Sequence, residues 1–395
     1  MNSLLNLGRI RNKRKVAIQT AFYHPYVAGA EVFAQKLAEY LVERGHEVDI
    51  ITWRLDRRLK RHEFINGVNV YRVNIPKIPH LKCFFGILTL AYRTWMLDKQ
   101  KDYDVVHSHL AFPTGQSGTI VKKLRKKRHL ITVQGGDLAD YKSETPAKYF
   151  GIILKPLISW SLKNADLVHA VSIYTKIRAE ELGARETIMI PNGVDVTEFK
   201  PMDKGIIRAK YGYSEKDFII VSVSRLTPKN GIDYLIKAID RVIDDIPNIR
   251  LVVIGDGIQR KKLIQLINNL RLTNKIDLLG NIPHSEIPEY LNIADVFVRP
   301  SLEEGFGISF IEAMACKVPV IGSNIGGIPD IIKDAENGYM VVPRNINELV
   351  QKLIRLSKDK ELRHNLAENG YQTVQEKFNW NVVLKNMYGI YEKLL

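Results

Sequence analysis

DVFVRPSLEEGFGISFIE, residues 295–312, joins a strand-like run to a glycine-rich turn and the start of a helix. Its first seven residues carry the β-branched and aromatic side chains typical of a buried strand. Gly305 and Gly307 then let the backbone approach whatever lies above the turn. A helix that begins there leaves backbone N–H groups without intrahelical partners, which favours a phosphate or another anion. The segment therefore predicts a strand of an α/β sheet with an anion-binding turn at its end.

Two glutamates, Glu304 and Glu312, stand at the two ends of this turn. A helical rise of ~1.5 Å per residue separates them by up to roughly 12 Å. That span is comparable to the distance between sugar and ribose across the pyrophosphate of a nucleotide-sugar. One carboxylate can therefore hold sugar hydroxyls and the other ribose hydroxyls. The alternative is that Glu304 caps the helix and Glu312 is an ordinary helical acid.

Short β-branched runs alternate with amphipathic helical stretches twice along the chain, which predicts two doubly wound α/β domains. The predicted strands are 16–22, 47–52, 68–73, 104–109, 129–134, 166–172, 187–193, 218–226, 250–257, 275–282, 295–301, 318–323 and 338–343. Pro and Gly at 191–201 mark the hinge. We expect domains at 1–195 and 196–378, with a final helix at 379–395 packing back on the first. Ligands of such sheets bind at strand carboxyl ends, so the site is expected in a cleft between the facing domains.

The composition is that of a large globular protein, with 395 residues, 45% hydrophobic and 26% charged. Two cysteines, Cys83 and Cys316, cannot form a disulfide framework, and both lie in apolar segments. The first residues contain no secretory apolar core, and no run of eighteen apolar residues occurs. We expect a cytoplasmic protein.

Positive charge is concentrated in the first half of the chain. Residues 1–200 carry 32 Lys and Arg against 19 Asp and Glu, a balance of +13, whereas residues 201–395 carry 26 against 24, a balance of +2. Basic clusters at 9–15, 54–61 and 122–128 attract anionic lipid headgroups, which favours a peripheral position at the inner face of a membrane. The alternative is ordinary solvated faces. Nucleic acid is not expected as a partner, since no recognised binding module accompanies the charge.

The apolar stretch 81–97 carries aromatic residues and basic flanks. It is compatible with an interfacial helix that lies on a membrane. The alternative is a helix of the protein core.

Three strand-end segments of the second half complete the predicted donor site. RLTPKNG, 225–231, offers Arg225 and Lys229, a planar fork and a compact charge suited to phosphates. RLVVIGDG ends in Gly255, but the third glycine of a dinucleotide fingerprint is missing, so an NAD enzyme is not predicted. The segments 278–283 and 323–330 offer further loops. Together with RLTPKNG and the E-x7-E turn they make four strand-end loops, all of which should face one crevice.

The first half offers its own candidates at strand and helix ends. Gly29 and Ala30 open a long amphipathic helix where small residues let phosphates approach. His107 and His109 share one face of a strand, and either can act as general acid/base or hydrogen-bond donor. The turn QGGDL follows the next strand and supplies Gln134, Gly135, Gly136 and Asp137 as acceptor-binding candidates.

A metal site is not predicted from this sequence. Asp102 and Asp104 spell D-x-D, a pattern that binds metal in some sugar transferases, but here it precedes a strand instead of following one. We therefore expect neither a metal nor another cofactor.

Taken together, the E-x7-E element, RLTPKNG, the PNGVD hinge and the GAE-containing first helix resemble glycosyltransferase family 4 enzymes of the GT-B fold. The resemblance covers nearly the whole chain and implies two Rossmann-like domains facing a cleft. It implies a metal-independent, retaining transferase whose second domain binds the nucleotide-sugar and whose first domain binds the acceptor. It implies that Arg225 and Lys229 contact the pyrophosphate, Glu304 the sugar, Glu312 the ribose and His109 the sugar near the reacting carbon.

The sequence departs from the family pattern at several positions. Asn230 stands where the family usually has a lysine, and Gln134 replaces a frequent histidine. The complete set of predicted donor contacts is Gly29, Ala30, Arg225, Lys229, Asn230, Gly255, Asn281, Ile282, Glu304, Gly305, Phe306, Gly307 and Glu312. His109 and Glu304 are the predicted catalytic residues, and His107 joins the QGGDL residues on the acceptor side.

The function predicted from these observations is transfer of a hexosyl group from a UDP- or GDP-linked sugar to a lipid-linked or polysaccharide acceptor. A nucleotide-sugar epimerase of the same fold and a non-catalytic nucleotide-sugar-binding protein are the alternatives. Epimerised donor formed without acceptor would indicate the first, and tight donor binding without turnover the second.

Overall fold

The computed structural model describes residues 13–25, 29–76, 82–138 and 147–395, with the side chains of Ala30 and 147–153 left aside. The chain divides into two compact units. Unit 1 holds the described residues up to Val171, then Thr175–Ile190 and Leu384–Leu395. Unit 2 holds Ser172–Tyr174 and Pro191–Val383.

Unit 1 is built on an eight-stranded sheet of order β3-β4-β2-β1-β5-β6-β7-β8. The strands are β1 (Lys15–Thr20), β2 (Glu47–Trp53), β3 (His62–Ile65), β4 (Val68–Val73), β5 (Val105–His109), β6 (Arg128–Val133), β7 (Leu167–Ala170) and β8 (Thr187–Met189). The helices are α1 (Gly29–Glu43), α2 (Lys82–Lys101), α3 (Thr114–Arg125), α4 (Ala147–Asn164) and α5 (Ile173–Glu181). All pairs are parallel except the β3–β4 hairpin, so the strands of the sheet interior are buried on both faces and read as continuous apolar runs.

Unit 2 is built on a six-stranded parallel sheet of order β11-β10-β9-β12-β13-β14. Its strands are β9 (Phe218–Val223), β10 (Ile249–Ile254), β11 (Ile276–Gly280), β12 (Val296–Arg299), β13 (Val320–Ser323) and β14 (Tyr339–Val341). Its helices are α6 (Lys204–Lys210), α7 (Ile232–Val242), α8 (Arg260–Asn269), α9 (Ile287–Asn292), α10 (Ile308–Ala315), α11 (Ile346–Lys358) and α12 (Lys360–Thr373). The sheet order reverses between β9 and β12, which makes the carboxyl ends of these two strands the topological switch point.

The core of unit 2 follows from helical periodicity. In α7, apolar residues recur at the spacing that places them on one helix face, and all are fully buried in one hydrophobic cluster with residues of β9, β10 and β12. These residues are Ile232, Leu235, Ile236, Ile239 and Val242. The register fixed by this packing determines where the loop before α7, which carries Arg225 and Lys229, is held.

The last helix, α13 (Trp380–Leu394), begins in unit 2 and continues in unit 1 from Leu384 onward. Two of its tyrosines contact histidines of unit 1. The Tyr391 hydroxyl lies 2.6 Å from His107 Nδ1, and the Tyr388 hydroxyl lies 3.3 Å from His46 Nε2.

Each of the thirteen predicted strands overlaps an observed one, and β3 is the strand that the sequence analysis missed. Several predicted strands were too long at their carboxyl ends. The prediction 187–193 shortens to β8, because Pro191 has no N–H for the ladder, and 218–226 shortens to β9.

Candidate donor site in unit 2

The loops after β9 and β12 pack backbone against backbone at the switch point. The N–H of Leu302 donates to the Lys229 carbonyl at 2.6 Å. Gly231, at φ 68°, approaches the next loop so closely that a Cβ would lie 2.0 Å from the Pro300 carbonyl oxygen. Glycine is therefore needed here for the two loops to meet, and the predicted phosphate and carboxylate groups are brought to one edge of the sheet.

Glu304 is held in place by its own turn and by a buried arginine. Its carboxylate accepts hydrogen bonds from the N–H groups of Gly305 at 3.0 Å and Phe306 at 3.4 Å, and it forms an ion pair with Arg299. Arg299 is only 7% exposed, and its guanidinium also donates to Ser309 Oγ at 2.9 Å. The Glu304 side chain thus supplies an anion to the turn that the sequence predicted to bind one.

Glu312 lies buried in α10 and contacts His284, which follows β11. Its Oε1 is 3.1 Å from His284 Nε2, while His284 Nδ1 is 3.7 Å from Glu198 Oε1. The hydrogen bond to Glu312 is the main reason that the pKa of His284 is raised, and the Glu198 charge adds to it against the opposing effect of burial. The His284 ring also packs edge-on against Phe199, with centroids 5.3 Å apart. A titratable group therefore stands beside the predicted ribose ligand.

Of the three predicted phosphate ligands, two present unused charge and one does not. The side chains of Arg225, which is exposed, and Lys229, which is half-buried, make no hydrogen bond or ion pair within the described residues. Asn230 is 5% exposed and donates its amide to the Arg225 carbonyl at 2.5 Å and to Thr227 Oγ1 at 3.2 Å. Asn230 thus holds the loop in shape, which leaves Lys229 as the available cation.

The loops after β13 and β10 pack on the E-x7-E loop and on the loop after β9, respectively. A Cβ on Gly326 would lie 1.9 Å from the Glu304 carbonyl oxygen, so the turn after β13 packs on the E-x7-E loop. Gly255, at φ 127°, donates to the Gly280 carbonyl at 2.7 Å, and a Cβ there would lie 1.9 Å from the Ser224 carbonyl oxygen. The glycine after β10 thus serves a contact between backbones, while Asn281 is exposed and Ile282 half-buried just after β11.

Histidines of unit 1 form a buried chain of hydrogen bonds across three strands. Tyr391, His107, Thr132 and His169 are linked at 2.6, 2.7 and 2.9 Å, and His169 Nε2 lies 2.8 Å from the Ile190 carbonyl oxygen. A carbonyl only accepts, so each donor in the chain is fixed: His169 and His107 donate from Nε2, and the Thr132 and Tyr391 hydroxyls donate to Nδ1 atoms. Both ring nitrogens of His107 are used in this way, and its acceptor-binding role stays a prediction.

His109 differs from the other histidines of this group. It is 0% exposed at the carboxyl end of β5, and neither ring nitrogen has a hydrogen-bond partner in the described part of the chain. Burial lowers its pKa to about 3, so the ring is neutral. An unpaired buried imidazole costs folding free energy. The catalytic role of His109 stays a prediction.

The turn after β6 is tied down by Asp137. This buried carboxylate accepts from the N–H groups of Ala111 at 2.6 Å, Gly135 at 2.9 Å and Gln134 at 3.0 Å, while burial raises its pKa. Asp137 therefore joins the loops after β5 and β6. Gly136 is exposed with open space around it.

Gly29 begins α1, and the side chain of its neighbour Ala30 lies outside the described residues.

Comparison with known proteins places both units in one family. The profile "Glycosyltransferase Family 4" matches residues 27–198, and the profile "Glycosyl transferases group 1" matches residues 203–373. An uncharacterised glycosyltransferase of Methanocaldococcus jannaschii is 30% identical over 95% of this chain and 98% of its own length. The chain belongs to glycosyltransferase family 4. This confirms the resemblance seen in the sequence.

Two further relatives of this family 4 chain have named activities. The N-acetyl-alpha-D-glucosaminyl L-malate synthase of Bacillus anthracis is 27% identical and covers 94% of this chain and 96% of its own. The phosphatidylinositol N-acetylglucosaminyltransferase GPI3 subunit of Saccharomyces cerevisiae is 28% identical over 96% of this chain and 83% of its own.

A solved structure confirms the fold. The sucrose-phosphate synthase of Thermosynechococcus elongatus superposes with a TM-score of 0.87 at 24% identity, covering 97% of this chain and 99% of that one. The predicted GT-B class, with two Rossmann-like α/β domains, is thereby confirmed.

Three residues that surround the predicted donor ligands were missed by the sequence analysis. Arg299 was visible as a charge inside an otherwise apolar strand, VFVR, where a buried partner is required. His284 and Glu198 carried no such signal. His284 is separated from Glu312 by 28 positions in the sequence and reaches it only in the fold, and Glu198 contacts His284.

Asp102 and Asp104, the D-x-D pair, are used in ion pairs and a hydrogen bond. Asp102 pairs with Lys127, and Asp104 accepts from the Lys15 N–H at 2.8 Å. Within the described ranges, no three His, Cys, Asp or Glu side chains are grouped so as to hold a metal ion. Metal independence of the reaction stays a prediction.

Proposed function

We propose that this glycosyltransferase is a retaining hexosyltransferase that uses a UDP- or GDP-linked sugar and acts on a lipid-linked or polysaccharide acceptor. The observation that carries the proposal is that two cations without ion-pair partners in the described residues, Arg225 and Lys229, and the Arg299-supported carboxylate of Glu304 lie in loops at the switch point of one sheet. Cations for a pyrophosphate and a fixed carboxylate for a sugar are the groups that a nucleotide-sugar requires.

Each residue has a definite role in this proposal. Arg225 and Lys229 bind the pyrophosphate and stabilise the negative charge that develops on it as the sugar leaves. Glu304 binds hydroxyls of the transferred sugar, and its fixed negative charge stabilises positive charge developing on the ring. Glu312 binds the ribose hydroxyls. His109 stays neutral and donates a hydrogen bond to the sugar, since its pKa is too low for it to act as an imidazolium.

The two relatives with named activities support transfer of an N-acetylglucosaminyl group as the first case to test. One name states malate as the acceptor and the other phosphatidylinositol, so relatives of similar identity use a small acid and a lipid. The acceptor proposed here is a lipid-linked glycan or a polysaccharide. An assay that measures transfer of labelled sugar to each of these two classes tests it.

Calorimetric and thermal-shift screening against UDP- and GDP-linked sugars tests the donor. We expect one nucleotide-sugar to stabilise the wild-type protein, and Glu312→Ala to weaken its binding roughly tenfold or more because a buried ribose contact is lost. Glu286→Ala removes an exposed acid of the neighbouring loop and serves as the control. If no nucleotide-sugar stabilises the wild type, the proposed function fails.

Arg225→Ala is expected to weaken the free energy of donor binding by ~1.5 to 3 kcal/mol, the range for a hydrogen bond to a charged group. Lys229→Ala should act in the same direction. Asn230→Ala should instead lower the melting temperature, since its amide holds the loop. Titration calorimetry with the donor and with free nucleoside diphosphate measures the first effect, and Arg271→Ala, an exposed arginine elsewhere in unit 2, is the control. Unchanged donor affinity in Arg225→Ala and Lys229→Ala would remove both residues from the site.

The epimerase alternative has no observation in its favour. Incubation of the donor without an acceptor, followed by analysis of the nucleotide-sugar, tests it. Epimerised nucleotide-sugar in that reaction would replace the transferase proposal. Donor binding with neither transfer nor hydrolysis would favour the non-catalytic alternative.

A further inference from the structure

Helix α2 of unit 1 presents a stripe of large apolar side chains to solvent. Its inner face, including Leu90 and Leu97, packs against β2 and β5 in a buried cluster. On the outer face Phe84, Leu88 and Tyr92 are 56%, 41% and 62% exposed. Their spacing of four residues aligns them along one side of the helix. One face of this helix therefore lies in the core, and the interfacial role of the other face stays a prediction.

Basic residues lie beside this stripe. The loop at 54–61 carries five Lys and Arg against one Asp, a balance of +4, and its Arg61 lines a 650 Å³ groove together with Leu88, Tyr92 and Arg93 of α2. Arg93 lies over the ring of Tyr71, at 5.0 Å, whereas Lys101 is paired with Asp49 at 2.6 Å and adds no free charge.

Acidic side chains are missing from the outer face of α2. The single carboxylate of this helix, Asp98, is 0% exposed and is paired with Arg125 at 2.6 Å and Lys127 at 3.5 Å. At the loop, the Asp56 carboxylate is engaged with Arg58 at 2.6 Å. The face is therefore apolar at its centre and positive at its rim.

We infer that this α2 face, formed by Phe84, Leu88, Tyr92 and the basic loop 54–61, is the surface through which the enzyme binds an anionic lipid bilayer. Aromatic and aliphatic side chains along one face of a helix insert at the headgroup boundary, while flanking Lys and Arg contact anionic headgroups. None of the described helices combines the length and apolarity needed to cross a bilayer, so the contact is at the surface. The inference goes beyond the proposed function, because it concerns the protein without donor or acceptor.

Charge decides between this partner and others. A second copy of the chain would bring the same positive rim against itself, and its repulsion would oppose pairing. A single-stranded nucleic acid has the right charge, but it needs aromatic rings set as a stacking platform, whereas here Leu88 separates Phe84 and Tyr92. An anionic bilayer satisfies both the apolar centre and the positive rim.

A single thiol reports insertion directly. Cys83 is exposed next to Phe84, whereas Cys316 is 3% exposed and burial raises the pKa of its thiol. An environment-sensitive fluorophore therefore labels Cys83 selectively. We expect its emission to shift to the blue with phosphatidylcholine vesicles that contain phosphatidylglycerol and to stay unchanged with pure phosphatidylcholine or with single-stranded RNA. A blue shift with RNA, or an equal shift with neutral vesicles, would overturn the inference.

Cosedimentation with the same vesicles tests the two parts of the face. Arg57→Gln/Lys60→Gln/Arg61→Gln should lower the partition coefficient roughly 100-fold, because each basic residue near an anionic surface contributes a similar share of the binding free energy. Phe84→Ser/Tyr92→Ser should lower it at least about tenfold. Lys261→Gln/Lys262→Gln/Lys358→Gln and Ile258→Ser change exposed residues of unit 2 and should leave partition unchanged.

Melting temperature and donor affinity show whether each variant is folded, and they also separate failure of this inference from failure of the proposed function. Equal loss of partition in the unit 2 variants would show a general charge effect and overturn the assignment to α2.

Discussion

Glu304→Gln is expected to lower kcat by about 10² to 10³, the loss typical when one group that stabilises transition-state charge is removed. The amide keeps an oxygen that can accept from the Gly305 and Phe306 N–H groups, so the turn retains these bonds. It loses the negative charge that we propose stabilises the sugar as it leaves the pyrophosphate. Initial rates with saturating donor and acceptor measure the effect.

The Arg299 ion pair makes a second, separable prediction for the same variant. Glu304→Gln leaves a 7% exposed guanidinium without its counter-charge, and breaking a buried ion pair typically costs about 3 to 5 kcal/mol of folding free energy. Chemical denaturation should show this loss. Glu303→Gln changes the exposed neighbouring acid and should affect neither kcat nor stability. A Glu304→Gln enzyme with kcat close to that of the wild type would remove this residue from catalysis.

Most of the fold could be predicted because parallel strands buried on both faces leave a strong apolar signal. In β10, for example, five of the six residues are Ile, Leu or Val, with Arg250 as the exception, and all five residues of β5 are buried. The hairpin strand β3 was missed because its side chains alternate between exposed and half-buried and give no such run. A local signal was present in Asn66 and Gly67, both at positive φ, which form the Asn-Gly turn that joins β3 to β4.

The candidate site was predicted in its positions more fully than in its contacts. Motif spacing indicated Glu304, Glu312 and Arg225, because these residues follow strand ends in the sequence itself. It did not indicate that the Asp137 carboxylate would accept hydrogen bonds from backbone N–H groups, or that the Asn230 amide would donate within its own loop. Such roles depend on the distance between loops that are far apart in sequence, and no local pattern encodes them.

Acidification is expected to destabilise unit 1 more than unit 2, because four fully buried histidines are neutral in its folded state. Burial lowers the pKa of His109 and His129 to about 3 and that of His169 to about 4, and it places the pKa of His107 well below its ordinary value. In the unfolded chain each ring titrates near 6.5. Above that pH both states are neutral, and below it only the unfolded state gains protons, so the free energy of unfolding falls.

The size of the effect follows from the width of the pH window. Between pH 7.5 and pH 5 each such histidine removes roughly 2 kcal/mol, so several together approach the whole stability of a typical domain. Urea denaturation at pH 7.5, 6.5 and 5.5 measures the slope. Hydrogen exchange should show that peptides covering β5, β6 and β7 lose protection before those covering β9 and β10.

His129 offers the sharpest variant, since it lies outside the Tyr391–Ile190 chain and its Nδ1 has no partner in the described structure. The slope of the unfolding free energy against pH reports how many protons the unfolded state takes up in excess of the folded state. His129→Gln should lower that number by about one, because the unfolded state loses one titrating group. The neutral amide is expected to keep the contact with Ser108. His364→Gln replaces an exposed histidine of unit 2 and should leave the slope unchanged. If stability were constant from pH 7.5 to 5.5, or if both variants gave the same slope, the buried histidines would not be the acid-sensitive element of unit 1.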